Sequence, residues 1–354
     1  LSPSISPHTP KFAETQNTRA RRYRNGYEIK PQTPSYKPYA LPCTGRRRKN
    51  DFRCENRAAV QPLPPLSTEE WDHLAHQAQI LPSVAQLRPF QVECANTVLS
   101  RSQDLCVIAA TGQGKSLLWL LPLLVQATGC SLVITPYTTL GLEGQDRNSH
   151  LRYPSIFVHS EQKTSHQLEQ IVRGEYKIIF ACPEMLESPT FSQILHSTSF
   201  QGSLSAIYID EAHLVHESTS WRPAYTRIHQ LRTLIGYYIP MVAISATLPS
   251  LYRHSLVTFT GLRVNYKLIN LGNFRPELST VILYMEHEHN SFKDLAFLLR
   301  DDVQTQDIVK TIIYANDLNI LTAMFWFFQS RLSELGLSTT LVDILHAGLT
   351  VEHE

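Results

Sequence analysis

The stretch "AATGQGKS", residues 109–116, lies between two short apolar runs. Because Gly112 and Gly114 have no Cβ, the backbone there can curl so that several N–H groups face inward on an anion. A helix that begins near Lys115 would direct its positive dipole end at the same point. The spacing predicts a phosphate-binding loop, in which Lys115 reaches the β- and γ-phosphates of a nucleotide and Ser116 supplies a hydroxyl to Mg²⁺. The strand expected before this loop and the helix expected after it predict an α/β fold.

A phosphate-binding loop works together with carboxylates that hold the metal and activate water. The stretch "AIYIDEAH", residues 206–213, contains such a pair. An apolar strand would carry Asp210 to its carboxyl end, where it can bind Mg²⁺, and Glu211 can accept a proton from the attacking water. Asp210 follows Lys115 by 95 residues. We expect the two elements to meet around one triphosphate, although an acidic pair alone would also suit an ordinary strand end.

Short apolar runs alternate with helix-like segments from residue 87 to about residue 268. Near-continuous apolar strands that alternate with helices indicate a parallel sheet covered by helices on both faces. The strand candidates are "DLCVIAA" (104–110), "SLVITP" (131–136), "IFVHS" (156–160), "YKIIFACP" (176–183), "LSAIYIDEAH" (204–213) and "PMVAISAT" (240–247).

A second, smaller unit is expected after about residue 270. Its expected elements are strands at 280–285 and 310–316, a helix near 291–300 and an apolar helix at 318–336. The predicted organisation is therefore a leader of residues 1–66, an α/β domain of residues 67–268 and a partial second domain of residues 269–354.

The leader differs from the rest of the chain in charge and composition. Residues 1–66 hold ten of the 21 prolines. Residues 1–60 carry 13 Lys and Arg against 4 Asp and Glu, a net charge of +9, and the remainder carries 19 against 27, a net charge of −8. This composition predicts a disordered or linker segment. A basic tail suits a nucleic acid or an acidic protein as partner, and a solvated leader is the alternative.

The six cysteines do not form a C-x-x-C pair, and most lie in apolar runs, which predicts reduced thiols in an intracellular protein. A zinc site from Cys43, Cys54, His73 and His76 is disfavoured by the long gap between its cysteines, so we expect no structural zinc. Residues 1–30 lack the apolar core of a signal peptide. The most apolar stretch, residues 117–125, is too short to span a bilayer, so we expect no membrane partner.

Further motifs, in order along residues 85–354, resemble those of the RecQ DNA helicases, which are superfamily-two helicases. "LRPFQ" resembles the family's adenine-reading motif, in which Gln91 would hydrogen-bond the base edge with Arg88 beside it. The phosphate loop shares a proline seven residues after the lysine, Pro122, and interior prolines are rare in helices. Other matches are "VITPYTTLGLEGQ" (133–145), "IIFACPEML" (178–186), "ISATLP" (244–249), "NFRPEL" (273–278), "TIIYAN" (311–316) and "LHAGLT" (345–350).

The resemblance implies a P-loop, RecA-like parallel sheet, followed by a partial second RecA-like lobe that clamps ATP and Mg²⁺ against the first. It implies an ATP-dependent DNA helicase that moves 3′ to 5′ along single-stranded DNA, unwinds duplex DNA and serves DNA repair and recombination. Its location would be the nucleus in a eukaryote and otherwise the cytoplasm. The implied ATP-binding residues are Arg88, Gln91, Thr111, Gly112, Gln113, Gly114, Lys115 and Ser116, with Ser116 and Asp210 on Mg²⁺.

The resemblance also implies residues that contact DNA and residues that couple the two activities. The implied DNA contacts are Thr135, Trp221, Arg222, Asn316 and His346. A capping or packing role is the alternative for the strand-facing positions. His213, Ser245 and Thr247 would relay the nucleotide state between the lobes, and a buried, satisfied side chain is the alternative for His213.

Two features depart from the family pattern. The family's Gln-Trp-Gly-His-Asp-Phe-Arg-Pro loop is replaced by "LVHESTSWRPAY", residues 214–225, which keeps Arg222 and Pro223 and places Trp221 at the phenylalanine position. Trp221 could stack on a base or pack against the sheet. The family's arginine-bearing motif, which stabilises the transition state, would lie beyond Glu354, so we expect an N-terminal portion or a truncated copy.

Two alternatives to a DNA helicase therefore stay open. One is an ATP- or DNA-binding remnant without unwinding activity, which the altered loop favours. The other is an RNA helicase or chromatin-remodelling translocase with the same engine. The "LRPFQ" motif, Pro122 and "FRPEL" favour the RecQ type over the latter.

Overall fold

The structure is a computed structural model that describes residues 62–151, 153–158 and 165–346, together with two short strands nearer the start of the chain. These strands, β1 (Tyr23–Arg24) and β2 (Tyr27–Glu28), pair antiparallel. The chain divides into two compact units, residues 1–57 and 58–354. Most of the leader expected to be disordered lies outside the described residues, and the remaining elements all belong to the second unit.

Seven parallel strands form one sheet in the second unit, in the order β5-β6-β4-β7-β8-β3-β9. They are β3 (Leu105–Ile108), β4 (Cys130–Ile134), β5 (Ser155–Val158), β6 (Ile178–Ala181), β7 (Leu204–Ile209), β8 (Met241–Ser245) and β9 (Lys267–Asn270). The six strand candidates from the sequence are confirmed. The seventh, β9, was missed because three of its four residues are not buried, so it lacks a continuous apolar run.

Helices separate the strands, as the alternation predicted. In the described residues they are α1 (Thr68–Gln77), α2 (Pro89–Ser100), α3 (Leu121–Val125), α4 (Thr138–His150), α5 (Ser165–Arg173), α6 (Pro189–His196), α7 (Thr198–Ser203), α8 (Leu214–Glu217), α9 (Gln230–Ile235), α10 (Arg253–Thr260) and α11 (Leu318–Glu334).

Alternate side chains of each strand enter two different cores, one on each face of the sheet. Leu132, Ile207 and Ala243 pack on one face with residues of α6, α9 and α10. Val133 and Tyr208 pack on the other face with residues of α2 and with the segment after the phosphate loop. A parallel sheet buried on both faces confirms the predicted α/β fold class.

The ordered body begins before residue 67, the expected end of the leader. The backbone N–H of Leu63 donates to the Leu99 carbonyl at 3.0 Å, and the Asn96 side chain bonds both backbone groups of Leu66 at 2.8 and 2.9 Å. Leu63 and Leu66, within the leader expected to be disordered, are therefore held by hydrogen bonds to α2. Ser67 caps α1 as expected, in a reciprocal capping box with Glu70.

Residues 271–346 contain α11 and turns of 3-10 helix, and the structure forms no strand within them. The strands predicted at 280–285 and 310–316 are wrong, and side chains such as Tyr284 and Tyr314 are exposed there. An isolated strand leaves its backbone groups unpaired, so an apolar run alone does not produce one. The apolar helix predicted at 318–336 is confirmed as α11, whereas the helix expected near 291–300 is a pair of 3-10 turns.

A buried carboxylate ties the amino-terminal edge of the sheet together. Asp104, immediately before β3, is fully buried and forms ion pairs with Arg232 and Arg263. Its oxygens also accept hydrogen bonds from the backbone N–H groups of Met241, at 2.9 Å, and Arg263, at 2.7 Å. One side chain thus satisfies donors from three segments that are far apart in sequence.

Candidate functional site

The phosphate loop connects β3 to the segment before α3 at the carboxyl edge of the sheet. Gly112 and Gly114 have φ angles of +82° and +76°, which other residues adopt only under strain. A Cβ on Gly114 would lie 2.7 Å from Nε2 of Gln91, whereas one on Gly112 would meet open space. The sequence prediction of a tight, glycine-dependent turn is therefore matched by the backbone.

The helix expected to begin near Lys115 is not a continuous α-helix. Residues Lys115–Leu117 form a 3-10 turn, and the α-helical segment α3 starts only at Leu121. Between these segments, backbone N–H groups donate to the carbonyl three residues earlier, as the N–H of Leu120 does to the carbonyl of Leu117 at an N–O distance of 3.0 Å. Pro122 contributes to this pattern, because it has no N–H to extend an i to i−4 ladder through the turn.

The charge of Lys115 acts on the acidic pair after β7. Its Nζ donates to the carbonyls of Ala109, at 3.0 Å, and Ala110, at 3.3 Å. The same charge opposes the rise in the pKa of Asp210 and contributes to the lowered pKa of Glu211. Lys115 follows β3 and the two carboxylates follow β7, so the three side chains lie at the carboxyl edge of the sheet.

The two carboxylates have opposite pKa shifts. Burial, reinforced by the charge of Glu211, raises the pKa of Asp210 to about 6. A hydrogen bond from His213 holds the pKa of Glu211 below its usual range. Glu211 also has a φ of +47°, an uncommon conformation for a residue with a side chain. Two neighbouring acids with separated pKa values suit different roles in one reaction.

His213 connects the acidic pair to the end of β8. Its Nδ1 lies 2.9 Å from Oγ of Ser245 and 3.3 Å from Oε2 of Glu211. The Ser245 hydroxyl donates to the Thr247 carbonyl at 2.7 Å, so its oxygen accepts from His213 and from the Thr247 backbone N–H. The structure therefore places the three expected coupling residues in one hydrogen-bonded chain. The bond to Glu211 raises the pKa of His213.

The oxygen donors at this edge fit Mg²⁺ held together with a nucleotide. Mg²⁺ takes one or two carboxylates and completes its shell with phosphate oxygens and water. Asp210 is a carboxylate whose ionised form a nearby cation would stabilise, and Ser116 lies partly exposed in the loop. No group of three or more His, Cys, Asp or Glu able to hold a metal occurs among the described residues, so phosphate and water would supply the other ligands.

Gln91, expected to read adenine, is instead engaged within the protein. It is 2% exposed, donates from Nε2 to the Gly114 carbonyl at 3.0 Å and accepts from the Arg88 backbone N–H at 2.8 Å. In this conformation the amide of Gln91 caps α2 and braces the loop, and its expected contact with adenine stays a prediction. Arg88 is exposed and donates to the side chain of Gln113, and Thr111 is exposed beside them.

Two of the expected DNA contacts are occupied or hidden. Thr135 is 2% exposed, so its side chain cannot touch a nucleic acid in this conformation. The guanidinium of Arg222 forms a two-point ion pair with Glu184 and donates to the Pro136 carbonyl. The guanidinium of Arg222 is therefore engaged within the protein, and its expected contact with DNA stays a prediction. Glu184 was not expected from the sequence, and it lies three residues after the end of β6, at the functional edge.

The remaining expected DNA contacts lie on accessible surface. Trp221 is 60% exposed, which excludes the alternative of packing against the sheet. Asn316 is exposed and His346 is half-buried, both within residues 271–346.

The thiols and histidines considered for metal binding have other surroundings. Cys43 and Cys54 lie outside the described residues, and Nε2 of His76 is 2.7 Å from the Ala85 carbonyl. Burial raises the pKa of Cys94 and Cys106 to about 12 and that of Cys130 to about 11, so these thiols stay protonated.

Within the described residues, every helix is too short or too polar to cross a bilayer.

Comparison with known proteins agrees with this geometry. Residues 88–254 match the DEAD/DEAH box helicase family. The match includes the phosphate loop, the acidic pair and the β8 segment that contains Ser245.

Curated relatives of the chain are RecQ-family helicases, which confirms the resemblance seen in the motifs. The chain is 26% identical over 253 residues to the ATP-dependent DNA helicase Q-like SIM of Arabidopsis thaliana, covering 63% of this chain and 29% of that protein. It is 28% identical over 226 residues to the ATP-dependent DNA helicase RecQ of Synechocystis, covering 62% and 46%. The chain thus spans less than half the length of these relatives.

Solved structures share the fold at lower identity. The helicase MrfA bound to DNA and AMPPNP superposes with a TM-score of 0.54 at 16% identity, covering 78% of this chain and 40% of that one. This likeness supports the RecA-like fold alone.

Proposed function

We propose that this protein is an ATP-dependent DNA helicase of RecQ type, which couples ATP hydrolysis to 3′ to 5′ movement on single-stranded DNA and to duplex unwinding. The observation that carries the proposal is topological: the loop with Lys115 follows β3, and Asp210, Glu211 and His213 follow β7, so both groups lie at the carboxyl edge of one parallel sheet. A phosphate-binding lysine, a metal-binding carboxylate and a proton acceptor are the parts that phosphoryl transfer to water needs.

In this reaction the loop would hold the triphosphate and the acidic pair would act on water. Lys115 would exchange its loop carbonyls for the β- and γ-phosphates, and Ser116 and Asp210 would hold Mg²⁺, which neutralises phosphate charge when bound. Glu211 would accept the proton of the attacking water, since its depressed pKa keeps it ionised at neutral pH. Arg88, on the exposed side of the loop, would lie beside the base.

The bonds of His213 support a coupling role. A bound nucleotide that changes the electrostatic environment of Glu211 would alter the contact between Glu211 and His213. His213 would then change its hydrogen bond to Ser245, and Ser245 its hydrogen bond to Thr247. Ser245 ends β8 and Thr247 follows it, on the path to the second part of the chain. Because β9 runs to Asn270, we move the expected boundary by two residues and assign residues 67–270 to the ATP-binding RecA-like domain and residues 271–354 to a partial second RecA-like lobe.

A second candidate is an ATP- and DNA-binding protein without unwinding activity. It is favoured by residues 271–346, in which the structure forms no strand and hence no second sheet to clamp the nucleotide. In this second candidate the phosphate loop binds ATP, but no second lobe closes over the bound nucleotide.

ATP hydrolysis with and without single-stranded DNA separates the two candidates, with strand displacement on matched DNA and RNA duplexes as a second readout. A helicase of RecQ type should show DNA-stimulated hydrolysis and should displace the DNA strand from a 3′-tailed duplex in preference to RNA. ATP binding with hydrolysis that DNA leaves unchanged would favour the second candidate, and preferential displacement of RNA would contradict the assignment to DNA.

A further inference from the structure

Tyrosines and arginines collect at the amino-terminal edge of the sheet, opposite the edge that carries the phosphate loop. All seven strands are parallel, so the loops that precede them lie together at this edge. The loops before β5, β6, β8 and β9 contain Tyr153, Tyr176, Tyr237, Tyr238 and Tyr266. Because tyrosine and arginine are enriched where proteins bind one another, this composition indicates a docking surface.

Two of these tyrosines are exposed, and each ring lies over a guanidinium. Tyr237 is 60% exposed and Tyr238 is 44% exposed. The Cζ atom of Arg232 lies 5.0 Å from the ring centroid of Tyr237, and the Cζ atom of Arg101 lies 4.8 Å from that of Tyr238. These cation–π contacts orient both rings, so the rings have little side-chain entropy to lose when a partner binds.

The two arginines are themselves fixed by backbone carbonyls. Nη2 of Arg101 donates to the Leu204 carbonyl at 2.7 Å, where β7 begins. Nη1 of Arg232 donates to the Ile239 carbonyl at 2.7 Å, in the loop before β8. Both arginines are buried. The exposed rings therefore rest on an ordered base that is tied to the starts of two neighbouring strands.

Positive charge beneath the rings exceeds the negative charge that pairs with it. Arg232 and Arg263 share one carboxylate partner, Asp104. Arg101 forms no ion pair with the described residues, and its buried Nε has no hydrogen-bond partner among them. Three guanidinium groups and one carboxylate give this cluster an excess of positive charge. Burial lowers the pKa of Arg101 and of Arg232, so an anion beside the cluster would offset the cost of burying their charges.

The excess charge favours a protein partner with carboxylates over a nucleic acid. A guanidinium beneath an aromatic ring reduces the negative potential on the outer face of that ring, which lets a carboxylate approach. Nucleic acids are held mainly by cationic side chains that reach their phosphates, whereas Arg101 and Arg232 are buried. Val264, which is 87% exposed in the loop before β9, adds an apolar contact at the same edge.

We propose that the amino-terminal edge of the sheet docks a protein partner through an acidic segment of that partner, with Tyr237 and Tyr238 as the central contacts. This surface goes beyond the proposed helicase activity. It lies at the opposite edge of the sheet from Lys115 and Asp210, so a docked partner leaves the phosphate loop accessible.

Three fluorescent peptides of equal length, built from Glu-Leu-Glu, Glu-Gly-Glu and Lys-Leu-Lys repeats, test this surface by fluorescence anisotropy. The parent should bind the Glu-Leu-Glu peptide at least about tenfold more tightly than the other two, because that peptide alone combines negative charge with apolar side chains. Tyr237→Ala and Tyr238→Ala should each weaken its binding about 5- to 30-fold. Tyr284→Ala, at an exposed tyrosine of residues 271–346, is the control and should bind like the parent.

Tyr237→Glu and Tyr237→Gln form a matched pair for the role of charge. Both remove the ring, but the glutamate also neutralises part of the positive charge and repels the peptide, so it should weaken binding at least about threefold more than the glutamine. Raising the ionic strength should weaken binding by the parent as well. ATP hydrolysis by both variants should equal that of the parent, which checks that they fold.

A parent that does not prefer the Glu-Leu-Glu peptide would overturn the proposal. Parent-like binding by both alanine variants, or equal binding by the glutamate and glutamine variants, would overturn it too. A DNA duplex is the remaining probe. If the alanine variants lose duplex binding and keep peptide binding, the surface binds nucleic acid and the protein partner is refuted.

Discussion

The Nδ1 atom of His213 lies 2.9 Å from Oγ of Ser245, which joins the acidic loop after β7 to the end of β8. Because the serine hydroxyl donates to the Thr247 carbonyl, the proton shared with His213 belongs to the histidine. This bond links the acidic pair after β7 to the segment that follows β8.

Ser245→Ala removes the acceptor of His213 and should separate hydrolysis from its stimulation by DNA. We expect ATP affinity to stay within about threefold of the parent, because the Ser245 hydroxyl bonds His213 and Thr247 and the substitution keeps the backbone bond to Ala109. DNA stimulation should fall about tenfold, the loss expected for one hydrogen bond to a charged group. Steady-state hydrolysis with and without single-stranded DNA measures both.

The control for this change is Ser205→Ala, at a buried hydroxyl without a hydrogen-bond partner in the same sheet. It should leave both quantities unchanged. Full DNA stimulation in Ser245→Ala would show that the His213 bond is only structural.

The raised pKa of Asp210 predicts how the free energy of unfolding changes with pH. Its pKa of about 6 lies above the ordinary aspartate value, so ionising it costs folding free energy, and this cost disappears as the pH falls through 6. Asp210→Asn should therefore stabilise the protein by about 1–3 kcal/mol near pH 8, and the difference should vanish near pH 4. Urea denaturation across this range measures it, and a pH-independent difference would contradict the burial of a charged Asp210.

Gly112 and Gly114 give a matched pair of substitutions in one loop. Each alanine would adopt a positive φ at a cost of about 1 kcal/mol, but only the Cβ at position 114 would meet Gln91, at 2.7 Å. Gly114→Ala should weaken ATP binding at least tenfold more than Gly112→Ala. Equal effects in equilibrium dialysis would indicate that Gln91 does not brace the loop.

The buried Asp104 should dominate the stability of the first domain. Asp104→Ala leaves Arg232 buried without its partner, and breaking such a pair costs about 3–5 kcal/mol. Asp301→Ala removes an ion pair with Arg331 whose aspartate is 91% exposed, and should change stability by less than about 1 kcal/mol. Similar urea midpoints for the two variants would contradict this difference.

Much of the first domain follows from local sequence signals. The strands β3, β4, β6, β7 and β8 are apolar runs buried on both faces, and such runs are typical of parallel sheets. The convergence of Lys115 with Asp210 also follows, because parallel strands all place their carboxyl ends at one edge. The half-exposed β9 could not be found this way, since its pairing with β3 is a tertiary contact.

Long-range contacts determine the surroundings that the sequence could not predict. The amide of Gln91 is occupied by Gly114, and the guanidinium of Arg222 by Glu184, and neither partner is near in sequence. The apolar run at 280–285 lacks a pairing strand in the described residues, so its β propensity alone does not form one. Residue type predicted which groups carry chemistry, and packing decided which of them are free.

The central claim is that Lys115 and Asp210 act on one Mg²⁺–ATP complex. Calorimetric titration of ATP, with and without Mg²⁺, into the parent, Lys115→Ala, Asp210→Asn and the double variant tests it directly. We expect Lys115→Ala to weaken ATP binding about 10- to 100-fold in both conditions and Asp210→Asn to weaken it only with Mg²⁺. The double variant should lose less binding free energy than the sum of the two single losses. Strictly additive losses, or unchanged affinity in Lys115→Ala, would contradict it.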